Sequence, residues 1–258
     1  MGVSGGSVGR KRSVSPVARR GDIPLTEPCR MRFDILSLFP GYFSGPFDVS
    51  MIKRARQRGL IDIRLIDIRS FAKGRHRQVD DRPYGGGPGM VLMAQPVAEA
   101  IRSVKGEGAR VLYFSPQGAV LTADRCREFA REESQLILLC GHYEGVDQRV
   151  LDAEVDEEVS VGDFVVTSGA PAAILLVDAV SRFIPGVIGN EEGCRRDSFA
   201  KGVFDFPVYT RPASFEGREV PPVLLGGHHE EIERWREEQA LRKTERVRPD
   251  LMKSLAGE

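Results

Sequence analysis

Cysteine is scarce in this 258-residue chain: Cys29, Cys126, Cys140 and Cys194 form no CxxC pair and have no metal-ligand spacing. That excludes a disulfide framework or a zinc ribbon and fits buried, reduced thiols of a cytoplasmic protein. Long apolar runs are also missing. The longest, Ala170 to Val177, is eight residues and contains Pro171, far short of the ~20 that cross a bilayer, so no membrane partner is expected. Neither sign of charge is in excess, because 37 Lys+Arg balance 37 Asp+Glu. Without a uniformly basic coat, any anionic partner has to meet a local patch. The histidines, His76, His142, His228 and His229, make no HExxH or other zinc set, and no GxSxG elbow is present.

What is present is unevenly distributed. Residues 1–30 are rich in Gly, Ser, Arg and Pro and carry six basic side chains against two acidic ones, which leaves the rest of the chain at −4. With no periodic hydrophobicity and no apolar h-region, this segment is expected to be a disordered basic extension, either a dispensable addition, a misassigned start ahead of Met31, or an arm adding nonspecific phosphate contacts. From Met31 the pattern alternates between strand-like and helix-like stretches. Strands are expected over Arg32–Leu38, Ile61–Asp67, Arg110–Phe114 and Gln135–Cys140. Helices are expected over Pro46–Arg58 (closed by Gly59), Gln95–Lys105, Thr122–Glu133 (with Thr122 as N-cap) and Ala172–Val180. Repeated βα units predict a mostly parallel sheet covered by helices. The Ala172–Val180 segment, apolar nearly all round, suits a core or subunit interface. The composition predicts an α/β domain over 31–187, a linker over 188–204 and a small helical domain over 205–258.

Three glycine-rich stretches follow candidate strands. Tyr84–Gly89 lacks the Lys-Ser/Thr ending of a P-loop and reads as a mobile loop. Gly141–Asp147 and Ser160–Gly169 stand where parallel sheets bind ligands, beyond the carboxyl ends of strands. The acid-free stretch Arg69, Lys73, Arg75, His76 and Arg77, and the crowd of Lys53, Arg54, Arg56 and Arg58, read either as solvated faces or as contacts to a phosphate backbone.

The motifs Val79-Asp-Asp-Arg-Pro-Tyr-Gly-Gly-Gly-Pro-Gly-Met90, Ser115-Pro-Gln-Gly118, Gly141-His-Tyr-Glu-Gly-Val-Asp147, Ser181-Arg-Phe-Ile-Pro-Gly186, Asp197-Ser-Phe199 and Tyr209-Thr-Arg-Pro212 occur in this order. Together they resemble the bacterial tRNA (guanine-N1-)-methyltransferases, from Met31 to about Leu251. The resemblance implies a SPOUT-type α/β fold with a C-terminal trefoil knot, a small helical domain and a homodimer acting on tRNA in the cytoplasm. It implies methyl transfer from S-adenosylmethionine to N1 of the guanosine immediately 3′ of the anticodon. By matching motif, the cofactor loops contain Ser115 and Pro116; Gly141, Tyr143, Glu144 and Gly145; and Ser160, Val161, Gly162, Phe164, Val166 and Gly169. Asp197 matches the general base and Arg182 the residue that stabilises charge on O6. Arg75, His76, Arg77 and Arg82 are the implied tRNA contacts.

Two departures stand out. Ser168-Gly-Ala-Pro-Ala172 replaces the family's usual Gly-Gly-Glu-Leu-Pro, losing a glycine and a carboxylate. The resemblance also implies Mg²⁺, yet no all-oxygen ligand cluster is visible in the sequence. The competing readings are a knotted ribose 2′-O-methyltransferase and a non-catalytic RNA-binding protein. The Asp197-Ser-Phe199 motif speaks against the first, and the presence of both Arg182 and Asp197 against the second.

Overall fold

A computed structural model describes residues 31–189, 193 and 196–256. The expected basic extension, Cys29, Cys194 and the linker residues 190–192 and 195 lie outside the described residues. Five parallel strands form the main sheet: β1 (Met31–Ser37), β2 (Ile61–Asp67), β5 (Arg110–Val120), β6 (Gln135–Leu139) and β7 (Glu157–Ser160), in the order β2-β1-β6-β5-β7. β6 is an inner strand and every residue of it is buried, as a near-continuous Leu/Ile run requires when helices cover both faces. Its side chains alternate: Leu136 and Leu138 join the cluster of Phe33, Ile35 and Phe129, while Ile137 and Leu139 join Val97, Ile101 and Val111.

The covering helices follow from their apolar spacing. α1 (Ser50–Gln57) buries Ile52 and Ala55, and α2 (Ala94–Val104) buries Val97, Ala100 and Ile101. α3 (Ala123–Glu132) buries Cys126 and Phe129 and starts, as the sequence predicts, where the Thr122 hydroxyl accepts the Arg125 amide at 3.2 Å. α5 (Ala170–Ser181) lies against β1 and α3, with Ala173, Leu176, Val177 and Val180 fully buried. α4 (Gln148–Glu154) leads into β7. At the amino end of the sheet, buried Asp34 accepts hydrogen bonds from Arg32 (2.8 Å) and Gln135 (2.6 Å). Both donors also reach the Val104 carbonyl, which ties the end of α2 to β1 and β6.

Three expectations are corrected. The first helix begins at Ser50 rather than Pro46, because Asp48 accepts from Arg56 (2.9 Å) and the chain turns through residues 44–49; Gly59, at φ +67°, ends it as expected. The strand expected to stop at Phe114 continues to Val120 through a bulge in which Val159 pairs with both Phe114 and Ala119. Pro116 has no amide for the ladder, and at Gly118 a Cβ would stand 2.4 Å from the Glu158 carbonyl.

The C-terminal part is not wholly helical. A hairpin of β8 (Ser214–Phe215) and β9 (Arg218–Glu219) precedes α6 (His229–Val247) and α7 (Pro249–Ala256). Two-residue strands such as these, and the β3 (Asp80–Asp81) and β4 (Val91–Leu92) pair, are too short to show a period. Among the described residues no helix is long and apolar enough to cross a membrane. Replacing Leu138 by Ala on the fully buried strand is expected to cost about 2–5 kcal/mol, read as a lower urea midpoint at unchanged m.

Candidate active site

The loops that follow β6 and β7 and the bulge of the intervening β5 line one cleft of about 280 Å³. Every residue expected in the cofactor loops lines it: Ser115 and Pro116 from the β5 bulge, the motif residues of 141–145, and those of 160–169. Each loop is set by local hydrogen bonds. Ser115 Oγ accepts the Gln117 amide (3.1 Å), Ser160 Oγ accepts the Gly162 amide (3.2 Å), and Ser168 Oγ accepts the Ala170 amide (3.3 Å) at the start of α5.

The loops are also clamped to one another. The Gly169 amide donates to the Gly141 carbonyl (2.9 Å), and a Cβ at 169 would stand 2.8 Å from Cys140 Cα, so only glycine fits this crossing. The Glu144 amide donates to Met90 (3.0 Å) and the Leu92 amide to Gly145 (2.9 Å), which joins the 141–147 loop to β4 and the Tyr84–Gly89 stretch. Tyr143 is held at φ +58°, uncommon for a bulky side chain, with its ring 4.5 Å from His142 and half exposed to the cleft.

The cleft offers backbone donors and acceptors, an apolar wall of Pro116, Val161, Phe164 and Val166, and the Glu144 carboxylate. Its size is near the lower end of ordinary small-molecule sites of roughly 300–1,000 Å³. Tyr113, just before the β5 bulge, reaches beneath Gly141 and Gly145. Burial, with the Glu158 charge nearby, pushes its phenol up, so it stays a protonated donor at neutral pH.

Arg182 and Asp197 form an ion pair of the same chain, each about half exposed. They border a separate cavity of about 240 Å³ with Leu121, Cys126, Arg127 and Ser198, and this cavity shares no lining residue with the cleft. Gly169 precedes α5 and Arg182 follows it, so the two ends of the 12-residue helix stand about 18 Å apart, with the Gly169 crossing at one end and the ion pair at the other. The Asp197 segment is a compact turn. Ser198 Oγ accepts the Asp205 amide (3.0 Å), and Phe199, at φ +71°, packs its ring 5.6 Å from Phe204.

Arg75, His76 and Arg77 are exposed on the segment leading into β3, and Arg82 is exposed directly after it. The earlier basic crowd is partly consumed by structure: Arg56 pairs with Asp48, and Arg58 donates to the Gly186 carbonyl at 2.7 Å. Among the described residues no three His, Cys, Asp or Glu side chains converge to hold a metal ion, so no Mg²⁺ site is assigned.

A family model described as tRNA (guanine-1)-methyltransferase TrmD matches residues 31–254. The chain belongs to the tRNA (guanine-1)-methyltransferase family. Curated proteins named tRNA (guanine-N(1)-)-methyltransferase are close relatives. That of Protochlamydia amoebophila is 62% identical over 222 residues, which cover 86% of this chain and 100% of that protein. That of Moorella thermoacetica is 52% identical over 226 residues, covering 86% and 90%. That of Chlamydia pneumoniae is 57% identical over 221 residues, which span 86% of this chain and 61% of that protein.

In this tRNA (guanine-1)-methyltransferase family member the sequence reading missed Tyr113, Gln117 and Ala172, which also line the cleft. Tyr113 carried a readable signal, a polar aromatic at the expected strand's carboxyl end beside Ser115-Pro116. The two described cysteines are buried thiols, as expected. Burial pushes Cys126 up to about 11 and Cys140 higher still. Both are therefore expected to resist iodoacetamide at pH 8 in the native protein and to label fully in urea, as peptide mass mapping will show.

Proposed function

We propose that this chain transfers a methyl group from S-adenosylmethionine to N1 of the guanosine immediately 3′ of the anticodon in tRNA, working as a cytoplasmic homodimer. The observation that carries this reading is the convergence of the three cofactor-loop motifs in one cleft while Arg182 and Asp197 stand at the far end of α5. Methyl transfer needs reacting atoms within about 3–3.5 Å, and within one chain the Arg182–Asp197 pair faces a cavity that shares no lining residue with the cleft. A complete active site then needs the cleft of one subunit and the Arg182–Asp197 pair of another. The partly exposed face of α5, with Leu175 54% exposed among apolar neighbours, suits that contact.

The cleft residues fit S-adenosylmethionine, with loop backbone for the adenine edge and Pro116, Val161 and Tyr143 for apolar contact. When bound, this cofactor supplies an electrophilic methyl group on a sulfonium. Guanine N1 carries a proton at neutral pH and is a poor nucleophile. The Asp197 carboxylate takes that proton and frees the N1 electron pair for the methyl carbon. Charge then gathers on O6, where the Arg182 guanidinium donates to it. The ion pair holds both groups side by side before substrate arrives, so little reorganisation is left to the reaction.

The remaining assignments belong to the same proposal. Arg75, His76, Arg77 and Arg82 contact tRNA phosphates, and the 205–258 region forms a tRNA-binding domain joined by the 188–204 linker. The sheet domain takes the SPOUT form with a trefoil knot; the tight passage of Gly169 against Cys140 supports such threading.

Purified protein, labelled S-adenosylmethionine and a tRNA transcript test this directly, with 1-methylguanosine mapped by mass spectrometry and a transcript carrying adenosine at the target as control. Asp197→Ala is expected to lower turnover about 10²- to 10⁴-fold, and Arg182→Ala about 10²- to 10³-fold, with cofactor affinity retained in both. Unchanged turnover in either variant removes that residue from the chemistry.

Subunit sharing has its own test. Because Arg182 and Asp197 pair within one chain, mixing those two variants is expected to restore nothing. Mixing Asp197→Ala with the cleft-blocking Val166→Arg is expected to restore one of the two hybrid sites, about a quarter of the wild-type rate after full exchange. Absence of recovery after proven exchange places the whole site within one chain.

A further inference from the structure

The cavity beside Arg182 and Asp197 has a feature that the proposed chemistry leaves unused. Its lining includes Arg127, on the α3 face turned towards the end of α5. The Arg127 guanidinium lies over the Phe183 ring, 5.1 Å from its centroid, and Asp124, one turn earlier on α3, pairs with it. One side of the guanidinium is therefore covered by an aromatic ring and its position is anchored. The side chain nevertheless remains 40% exposed, beside the cavity.

Leu121, Ala123, Cys126 and Ala179 supply an apolar wall, and among the described residues the only acid lining this cavity, Asp197, is the one paired with Arg182. A delocalised, planar and weakly hydrated guanidinium backed by an aromatic ring is the surface on which an unstacked nucleobase lies flat. A lysine ammonium has the charge without the plane.

From this geometry, and resting on the function proposed above, we infer that Arg127 binds the acceptor guanine, stacking the flipped base on the guanidinium that Phe183 supports. Edge contacts from Asp197 and Arg182 then fall in the plane of the base while Arg127 covers its face. That division fixes the base in three dimensions, because two edge contacts alone leave it free to tilt about the line joining them. The cost of unstacking the target from its neighbours is offset in part by this replacement stack. Arg127 takes no proton and bears no transferred group, so its contribution is to base binding rather than to the chemical step.

The test measures steady-state kinetics of the full chain with the tRNA transcript for Arg127→Ala, Arg127→Lys and, as a charge control one turn along α3, Arg131→Ala. Arg131 is exposed and paired with Glu132. Losing one base stack is expected to raise KM for tRNA about tenfold in Arg127→Ala. The KM for S-adenosylmethionine should not move, and the melting temperature should hold because alanine suits a partly exposed helix position. Arg127→Lys should keep most of the loss, and Arg131→Ala should behave as wild type. An unchanged KM in Arg127→Ala overturns the inference. So does full rescue by lysine, which reduces the contact to charge, and so does an equal loss in Arg131→Ala, which makes it a general electrostatic effect. A wild-type chain that fails to methylate this guanosine sinks the proposed function itself, a separate outcome.

Discussion

The crossing of Gly169 over the Cys140–Gly141 backbone is the contact on which the rest of the molecule turns. Two chain segments approach so closely there that no side-chain carbon fits between them, and the Gly169 amide closes the contact with a hydrogen bond to Gly141. The same residue caps the start of α5, so one position sets both the mouth of the cleft and the origin of the helix that carries Arg182 away from it. A Cβ at 169 would have to move backbone rather than the end of a flexible side chain, which is why the cost is structural and not local. The replacement of the family's usual loop by Ser168-Gly-Ala-Pro-Ala172 keeps this one glycine, and with it the crossing.

α5 in turn acts as a spacer. Its buried residues, Ala173, Leu176, Val177 and Val180, hold it rigidly to β1 and α3, so the distance between its two ends is not adjustable. One chain therefore presents the Gly169 crossing at one end of this helix and the Arg182–Asp197 ion pair at the other. The Asp34, Arg32, Gln135 and Val104 network performs a matching task at the opposite end of the strands, pinning α2 to β1 and β6. Stability is thus concentrated at the amino ends of the strands and in the two apolar layers. The carboxyl ends are left to loops shaped by hydroxyl and glycine geometry.

Much of the architecture was legible beforehand, for physical reasons. Burial on both faces forces the apolar run of β6, the helical period places Val97, Ala100 and Ile101 on one side of α2, and Thr122 announces its own helix. The 141–145 and 160–169 loops drew attention through glycine content and position after a strand. By contrast, the β5 bulge was not readable, since it arises from where the Glu158 backbone lies and not from anything in residues 115–118 taken alone. The start of α1 was misplaced because Asp48 bonds back across the turn. The β8–β9 hairpin is too short to leave a pattern.

The sequence by itself determined which residue types are available for the proposed chemistry, namely an aspartate, an arginine and three short loops, and it determined the parallel sheet through the alternation and burial of its strands. These are properties of local spacing, and local spacing is written in the chain. Only the tertiary structure decided that the three loops share one cleft, that Arg182 meets Asp197 across 15 residues, and that Arg127 comes to lie on Phe183 beside them. Those contacts join segments distant in sequence. Their existence depends on strand order, on the length of α5 and on one glycine-sized gap, none of which any short stretch of residues encodes.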